Sequence, residues 1–136
     1  MKRIIKLLFF LLISAEIYAP EYRTICVEYT PPVDCYARLI DAIGFVESSH
    51  NDSAINHSEQ AYGFFQVRQI RLDDYYQRTG IRYELSDMLN RGKAEKVFRY
   101  YARGRDYEKI ARDWNGSGRG TDRYWNKVRQ LIPDKV

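Results

Sequence analysis

The sequence predicts a small, mainly α-helical domain, and three observations carry that prediction. Its 136 residues suffice for one domain around a single core. Tyr36, Leu39, Ile40, Ile43 and Val46 recur at helical spacing, and so do Tyr107, Ile110, Ala111 and Trp114. Residues that start helices, Asp34, Ser86, Asp106 and Thr121, stand ahead of apolar runs, while Gly80 and Gly104 stand where such runs end.

Taken in order, residues 1–19 have the make-up of a secretory signal peptide. Lys2, Arg3 and Lys6 precede the apolar run Leu7 to Ile13, and small residues follow at Ser14, Ala15 and Ala19. Cleavage fits after Ala15 or after Ala19, although Pro20 disfavours the second site; an uncleaved anchor is the alternative, from a run short for a membrane span. The expectation is an exported protein, periplasmic or secreted, that meets a membrane only through this segment. Residues 20–33 form an N-terminal arm, mixed in character from Glu21 to Thr30 and interrupted by Pro31-Pro32.

The domain itself is expected over residues 34–136. Asp34 is expected to cap a first helix running to about Ser48, and Asn51 to Gln60 reads as a polar loop. The stretch Ala61 to Val67, with aromatics around Gly63, leads into a helix near Gln69 to Arg78 that Gly80 ends. Ser86 is expected to open a third helix that carries Leu89, Val97, Phe98 and Tyr101 and stops at Gly104. Asp106 caps a fourth helix and Thr121 a fifth, the latter with Tyr124, Trp125, Val128 and Leu131 inward and Pro133 as its stop. Between them Gly116-Ser117-Gly118-Arg119-Gly120 is a turn free to adopt positive φ, without the strand and Lys-Ser/Thr of a phosphate loop.

Composition narrows the partners. Without residues 1–19 the chain loses three basic side chains and Glu16, so its net charge falls from +4 to +2, which argues against a nucleic-acid partner. Cys26 and Cys35 are the two cysteines, nine residues apart. In an oxidising compartment a disulfide between them is expected, with two thiols as the alternative that spacing leaves open. His50 and His57 flank a polar loop without the spacing or partners of a metal site, so neither metal nor cofactor is expected.

Glu47 is the residue on which the chemistry turns. It lies on the apolar stripe of the first helix, four residues after Ile43 and seven after Ile40. A carboxyl taken out of water has its charged form disfavoured, so it can hold a proton near neutral pH, as a general acid must. The plainer alternative is a helix-end glutamate that reaches solvent. Twelve tyrosines, six phenylalanines and two tryptophans are more aromatics than the core of so short a chain needs. Phe64 and Tyr107 are expected in the core, whereas Tyr62, Tyr75, Tyr76 and Trp114 suit a groove for sugar rings.

From Tyr36 to Val128 the order of motifs resembles the soluble lytic transglycosylase domain, a branch of the lysozyme-like superfamily that cleaves peptidoglycan. Glu47-Ser48 matches that family's helix ending in Glu-Ser. Gly63-Phe64-Phe65-Gln66-Val67 matches its Gly-Leu-Met-Gln followed by an aliphatic residue, and Asp113-Trp114-Asn115-Gly116 matches its Ala-Tyr-Asn with glycine after it. Tyr124, ahead of Lys127-Val128, matches a tyrosine in its last helix. Phe64-Phe65 and Asp113-Trp114 depart from the family pattern, and Leu89 to Tyr101 follows it loosely.

The resemblance implies a lysozyme-like helical domain with a substrate groove and a lytic transglycosylase activity. Glu47 would serve as sole acid and base, with Tyr124 orienting it. Ser48, Tyr62, Gly63, Gln66, Trp114 and Asn115 would form the substrate-binding cleft for peptidoglycan glycan strands. A secretion, conjugation or virion assembly partner would suit such a domain. Two rival readings stand beside it. A lysozyme-type hydrolase would need a second carboxylate to activate water, and Asp52 and Glu59 are the nearby candidates. A glycan-binding or assembly component of an envelope-spanning machine or virion would keep the fold with little chemistry.

Overall fold

The computed structural model describes residues 34–132. The signal segment, the N-terminal arm, Cys26 and Pro133 lie outside the described residues. Cys35, the other half of the expected disulfide, is exposed.

The elements in order are helix α1 (Ala37–Ser48), strands β1 (Ile55–Asn56) and β2 (Ala61–Tyr62), helix α2 (Gln69–Thr79), a short 3-10 helix (Leu85–Leu89), and helices α3 (Arg91–Ala102), α4 (Tyr107–Asn115) and α5 (Gly120–Gln130). The described chain is therefore mainly helical, as the apolar spacing predicts. Helix α1 buries Leu39, Ile40, Ala42, Ile43 and Gly44. It closes at Ser49, whose left-handed backbone lets the Ser49 and His50 amides donate to the carbonyls of Phe45 and Gly44 at 2.9 and 3.2 Å. Helix α2 ends at Gly80 (φ 73°), where the sequence places its end.

Four boundaries differ from the sequence reading. Asp34 does not cap α1, which starts three residues later; its carboxylate accepts from the Tyr36 amide at 3.1 Å and pairs with Arg99 of α3. Ser86 opens no helix, because it sits inside the 3-10 turn, and Asn90 caps α3 by accepting from the Lys93 amide at 3.1 Å. Thr121 lies within the first turn of α5, buried, with its hydroxyl donating to the Gly118 carbonyl at 2.9 Å. Leu131 falls just past α5 and is 41% exposed rather than inward, while Trp125 is half-buried. Asp106 does cap α4, accepting from the Lys109 amide at 2.8 Å.

The stretch read as a polar loop contains a strand. Ile55 pairs with Tyr62 and Asn56 with Ala61, antiparallel, so residues 55–62 form a minimal hairpin. Beneath it lies an aromatic core in which the Phe65 ring stacks on Phe98 at 4.6 Å and meets Trp114 edge-on at 5.9 Å. Two glycines make the approach possible. A Cβ on Gly44 would lie 1.7 Å from the Phe64 ring, and one on Gly63 (φ +75°) would lie 1.9 Å from the Met88 carbonyl oxygen. The turn that carries Phe64 and Phe65 is thus pressed against α1 through the Phe64 ring and against the 3-10 helix through the Gly63 backbone, which fixes it in space beside Glu47.

Candidate active site

Glu47 occupies the last turn of α1, half-buried, in the wall of a cavity of about 340 Å³. The other walls come from Glu59 at the hairpin tip, Gln66 and Val67 of the glycine turn, Arg68, Ile70 and Arg71 at the start of α2, and Trp114, Asn115 and Gly116 at the end of α4. From behind, the Tyr124 hydroxyl of α5 donates to Glu47 Oε1 at 2.7 Å. Removal from water pushes the Glu47 carboxyl up to about 7; the Tyr124 hydrogen bond and the Arg68 and Arg71 charges pull the other way, and Glu59 adds to the rise. Tyr124 is raised in turn, first by its own burial and then by Glu47, so it stays a donor.

Such a pair can deliver and retrieve a proton near neutral pH. Tyr124→Phe leaves Glu47 without the bond that favours its charged form, so its pKa should rise further. The alkaline limb of any activity that uses Glu47 as an acid should move to higher pH, and a limb that stays in place would mean that Tyr124 does not tune Glu47.

The glycine turn is held by paired backbone bonds between Tyr62 and Val67 at 3.0 and 2.9 Å. Gln66 itself is left-handed (φ 48°), and its side-chain nitrogen donates to the Gly63 and Ala54 carbonyls at 2.9 and 3.3 Å. Both N–H groups serve the loop, so the carbonyl oxygen is what Gln66 can offer a ligand. Trp114 is buried, with its indole N–H donating to the Phe65 carbonyl at 3.2 Å and its ring in the cavity wall. Asn115 is exposed at the rim.

The cavity therefore brings together Glu47, Gln66, Trp114 and Asn115, with Tyr124 behind. Other expected residues stand elsewhere. Ser48 is outside the lining: its hydroxyl donates to the Phe64 carbonyl at 3.0 Å and accepts from the Asn51 amide at 3.1 Å, stitching α1 to the turn. Gly63 contributes backbone only and Tyr62 is half-buried beside the cavity lining rather than in it. Tyr75 is buried in a cluster with Tyr83 and Tyr100, ring centroids 5.9 and 5.3 Å away, so it is a core residue and not a groove residue. Tyr76 lines a separate cavity with Arg82 over its ring. Phe64 is buried as expected, and Tyr107 is half-buried, its hydroxyl donating to the Cys35 carbonyl.

Of the two carboxylates considered as water-activating bases, Asp52 pairs with Arg91 at 3.3 Å and lies outside the lining, whereas Glu59 lines the cavity and pairs with Arg68. Sequence reasoning missed Arg68 and Arg71; the one available signal was that both stand within five residues of Gln66 on the face of α2 that leads to Leu72. Among the described residues no group of three or more His, Cys, Asp or Glu is placed to hold a metal ion, and no helix is long and apolar enough to cross a membrane. Comparison of the chain with protein-family models, with curated proteins and with solved structures returns no match.

Proposed function

We propose that the protein is an exported peptidoglycan lytic transglycosylase on a lysozyme-like fold, with Glu47 as sole acid and base. The observation that carries this reading is a half-buried carboxyl raised to about 7, bonded by Tyr124 at 2.7 Å and opening on a cavity walled by Trp114, Gln66 and Asn115. Protonated Glu47 gives its proton to the glycosidic oxygen of the β-1,4 bond between N-acetylmuramic acid and N-acetylglucosamine as the C–O bond breaks with oxocarbenium character. The 2-acetamido group stabilises the cationic centre. The Glu47 carboxylate then takes the proton of the sugar's own C6 hydroxyl as that oxygen closes a 1,6-anhydro ring, which returns Glu47 to its starting state without water. Trp114 offers an apolar wall to a sugar ring, and the Gln66 carbonyl and Asn115 amide suit acetamido or hydroxyl groups.

A second reading, hydrolysis, is favoured by one observation: Glu59 shares the cavity with Glu47. Mass spectrometry of fragments released from purified peptidoglycan separates the two. The expected products end in 1,6-anhydro-N-acetylmuramic acid and persist with Glu59→Gln. Reducing ends that disappear with Glu59→Gln would transfer the role of base to that residue. Binding of the strands with no fragments from the wild type would move the reading to a glycan-binding or assembly component.

A further inference from the structure

Arg71 differs from its neighbours because it is half-buried and forms no ion pair. Its half-buried guanidinium lies 4.4 Å from the centroid of the Trp114 ring and 4.9 Å from that of Tyr101. Nη2 donates to the backbone oxygens of Asp113 and Trp114 at 3.3 and 3.0 Å. Every one of these contacts is to a neutral group. Among the described residues no Asp or Glu comes within ion-pairing distance of Arg71, whereas Arg68, Arg78, Arg91, Arg99, Arg105 and Arg112 each have such a partner, and the other arginines without one, such as Arg82, Arg103 and Arg123, are exposed.

The carboxylates closest to hand are committed elsewhere. Asp74 accepts from the Tyr101 hydroxyl at 2.7 Å and from Arg78 at 2.8 Å, and Asp113 pairs with Arg105 and Lys109 at 2.8 and 3.3 Å. Burial pulls the Arg71 pKa below the usual arginine value, yet a guanidinium stays charged. A cation held partly out of water without a directly bonded carboxylate is unfavourable, the more distant charges of Asp74 and Asp113 offsetting its burial only in part, and stacking plus two carbonyl bonds fix its planar fork in the cavity wall. Glu47, raised toward neutrality, does not compensate it at the start of a turnover, and Glu59 is taken by Arg68.

We propose that Arg71 is the receptor for a carboxylate carried by the glycan, so that the cleft selects acidic amino-sugar strands over the same strands without charge. The inference rests on the glycan-cleaving reading above and adds to it the feature of the substrate that is recognised. A fork of N–H donors suits a carboxylate, and the attraction is stronger away from bulk water. Two sources carry that chemistry in such strands, the lactyl group of the muramic sugar and an attached stem peptide.

Titration calorimetry with Glu47→Gln protein, which lacks the proton to donate, tests this with soluble tetrasaccharides. The probes are a muramyl strand with free lactyl carboxylates, a strand bearing stem peptides, and the fully methyl-esterified form of each. At least one acid is expected to bind about tenfold more tightly than its own ester, with the advantage lost in high salt and in Arg71→Gln. An advantage in the first pair assigns the lactyl group, and one in the second pair assigns the peptide. Equal binding of both acids and their esters overturns the role of Arg71 and leaves the glycan reading intact; no binding of any probe overturns both. Arg71 also holds the end of α4, so Arg71→Gln is accompanied by a circular dichroism melt, while the acid–ester comparison requires no change at Arg71.

Discussion

Glu47→Gln is expected to abolish strand cleavage and, above neutral pH, to make the protein more stable. Loss of the acid removes a contribution of about a hundredfold to ten-thousandfold in rate, and the amide has no proton to give at the same position. The stability effect follows from the carboxyl being raised from 4.5 to about 7. Below the unfolded value Glu47 is protonated in both states and costs nothing. As pH climbs through the interval, the unfolded chain ionises freely while the folded protein must either keep the proton or bury a charge. Past about 7 the folded state is disfavoured by roughly 3 kcal/mol, which glutamine avoids. Urea midpoints for the two proteins should coincide near about pH 4 and separate by about pH 8, the variant being the more stable. A separation independent of pH would mean that the Glu47 carboxyl is not held neutral.

Gly63→Ala is expected to cost about 3–5 kcal/mol, enough to remove most of the stability of a domain this size. Its Cβ would sit 1.9 Å from the Met88 carbonyl oxygen, and a backbone carbonyl cannot swing aside as a side chain could. The left-handed φ of +75° adds its own strain. Gly80 supplies the control, because it has a similar φ of +73° but nothing within 4 Å of the site of a Cβ. Gly80→Ala should therefore cost only the backbone part, about 1 kcal/mol. Thermal melts that place the two variants together would show that the contact with Met88 is soft.

What the sequence makes legible is what depends on neighbours a few positions away. The apolar stripe around Ile40 and Ile43 places Glu47 on the inner side of α1, and Gly80 and Asp106 mark their helix ends through local backbone chemistry. The hairpin at 55–62 is illegible because two-residue strands carry no alternation to read. Ser86 and Thr121 look like caps, but competing partners, Asn90 for the Lys93 amide and the Gly118 carbonyl for the Thr121 hydroxyl, decide otherwise. Tyr75 and Tyr76 are adjacent and chemically identical, and which of them enters the core depends on Tyr83 and Tyr100, contacts that lie outside the local pattern. Arg71 is hidden for the same reason: its neighbours Tyr101 and Trp114 come from α3 and α4.

The rim of the cavity is tied unevenly. Ser48 joins α1 to the glycine turn, Tyr124 joins α5 to α1, and Arg71 joins α2 to the end of α4, each through contacts shielded at least in part from water. Glu59, by contrast, is tied to Arg68 by an ion pair whose two side chains are 52% and 56% exposed, a link worth at most about 1 kcal/mol and weakened by salt. Three ties are part-buried and the fourth stands in water. Salt that weakens the Glu59–Arg68 pair is therefore expected to loosen the Glu59 side of the cavity first and to leave the Tyr124–Glu47 bond in place, which on the proposed reading would keep the acid set while the side facing the strand gives way.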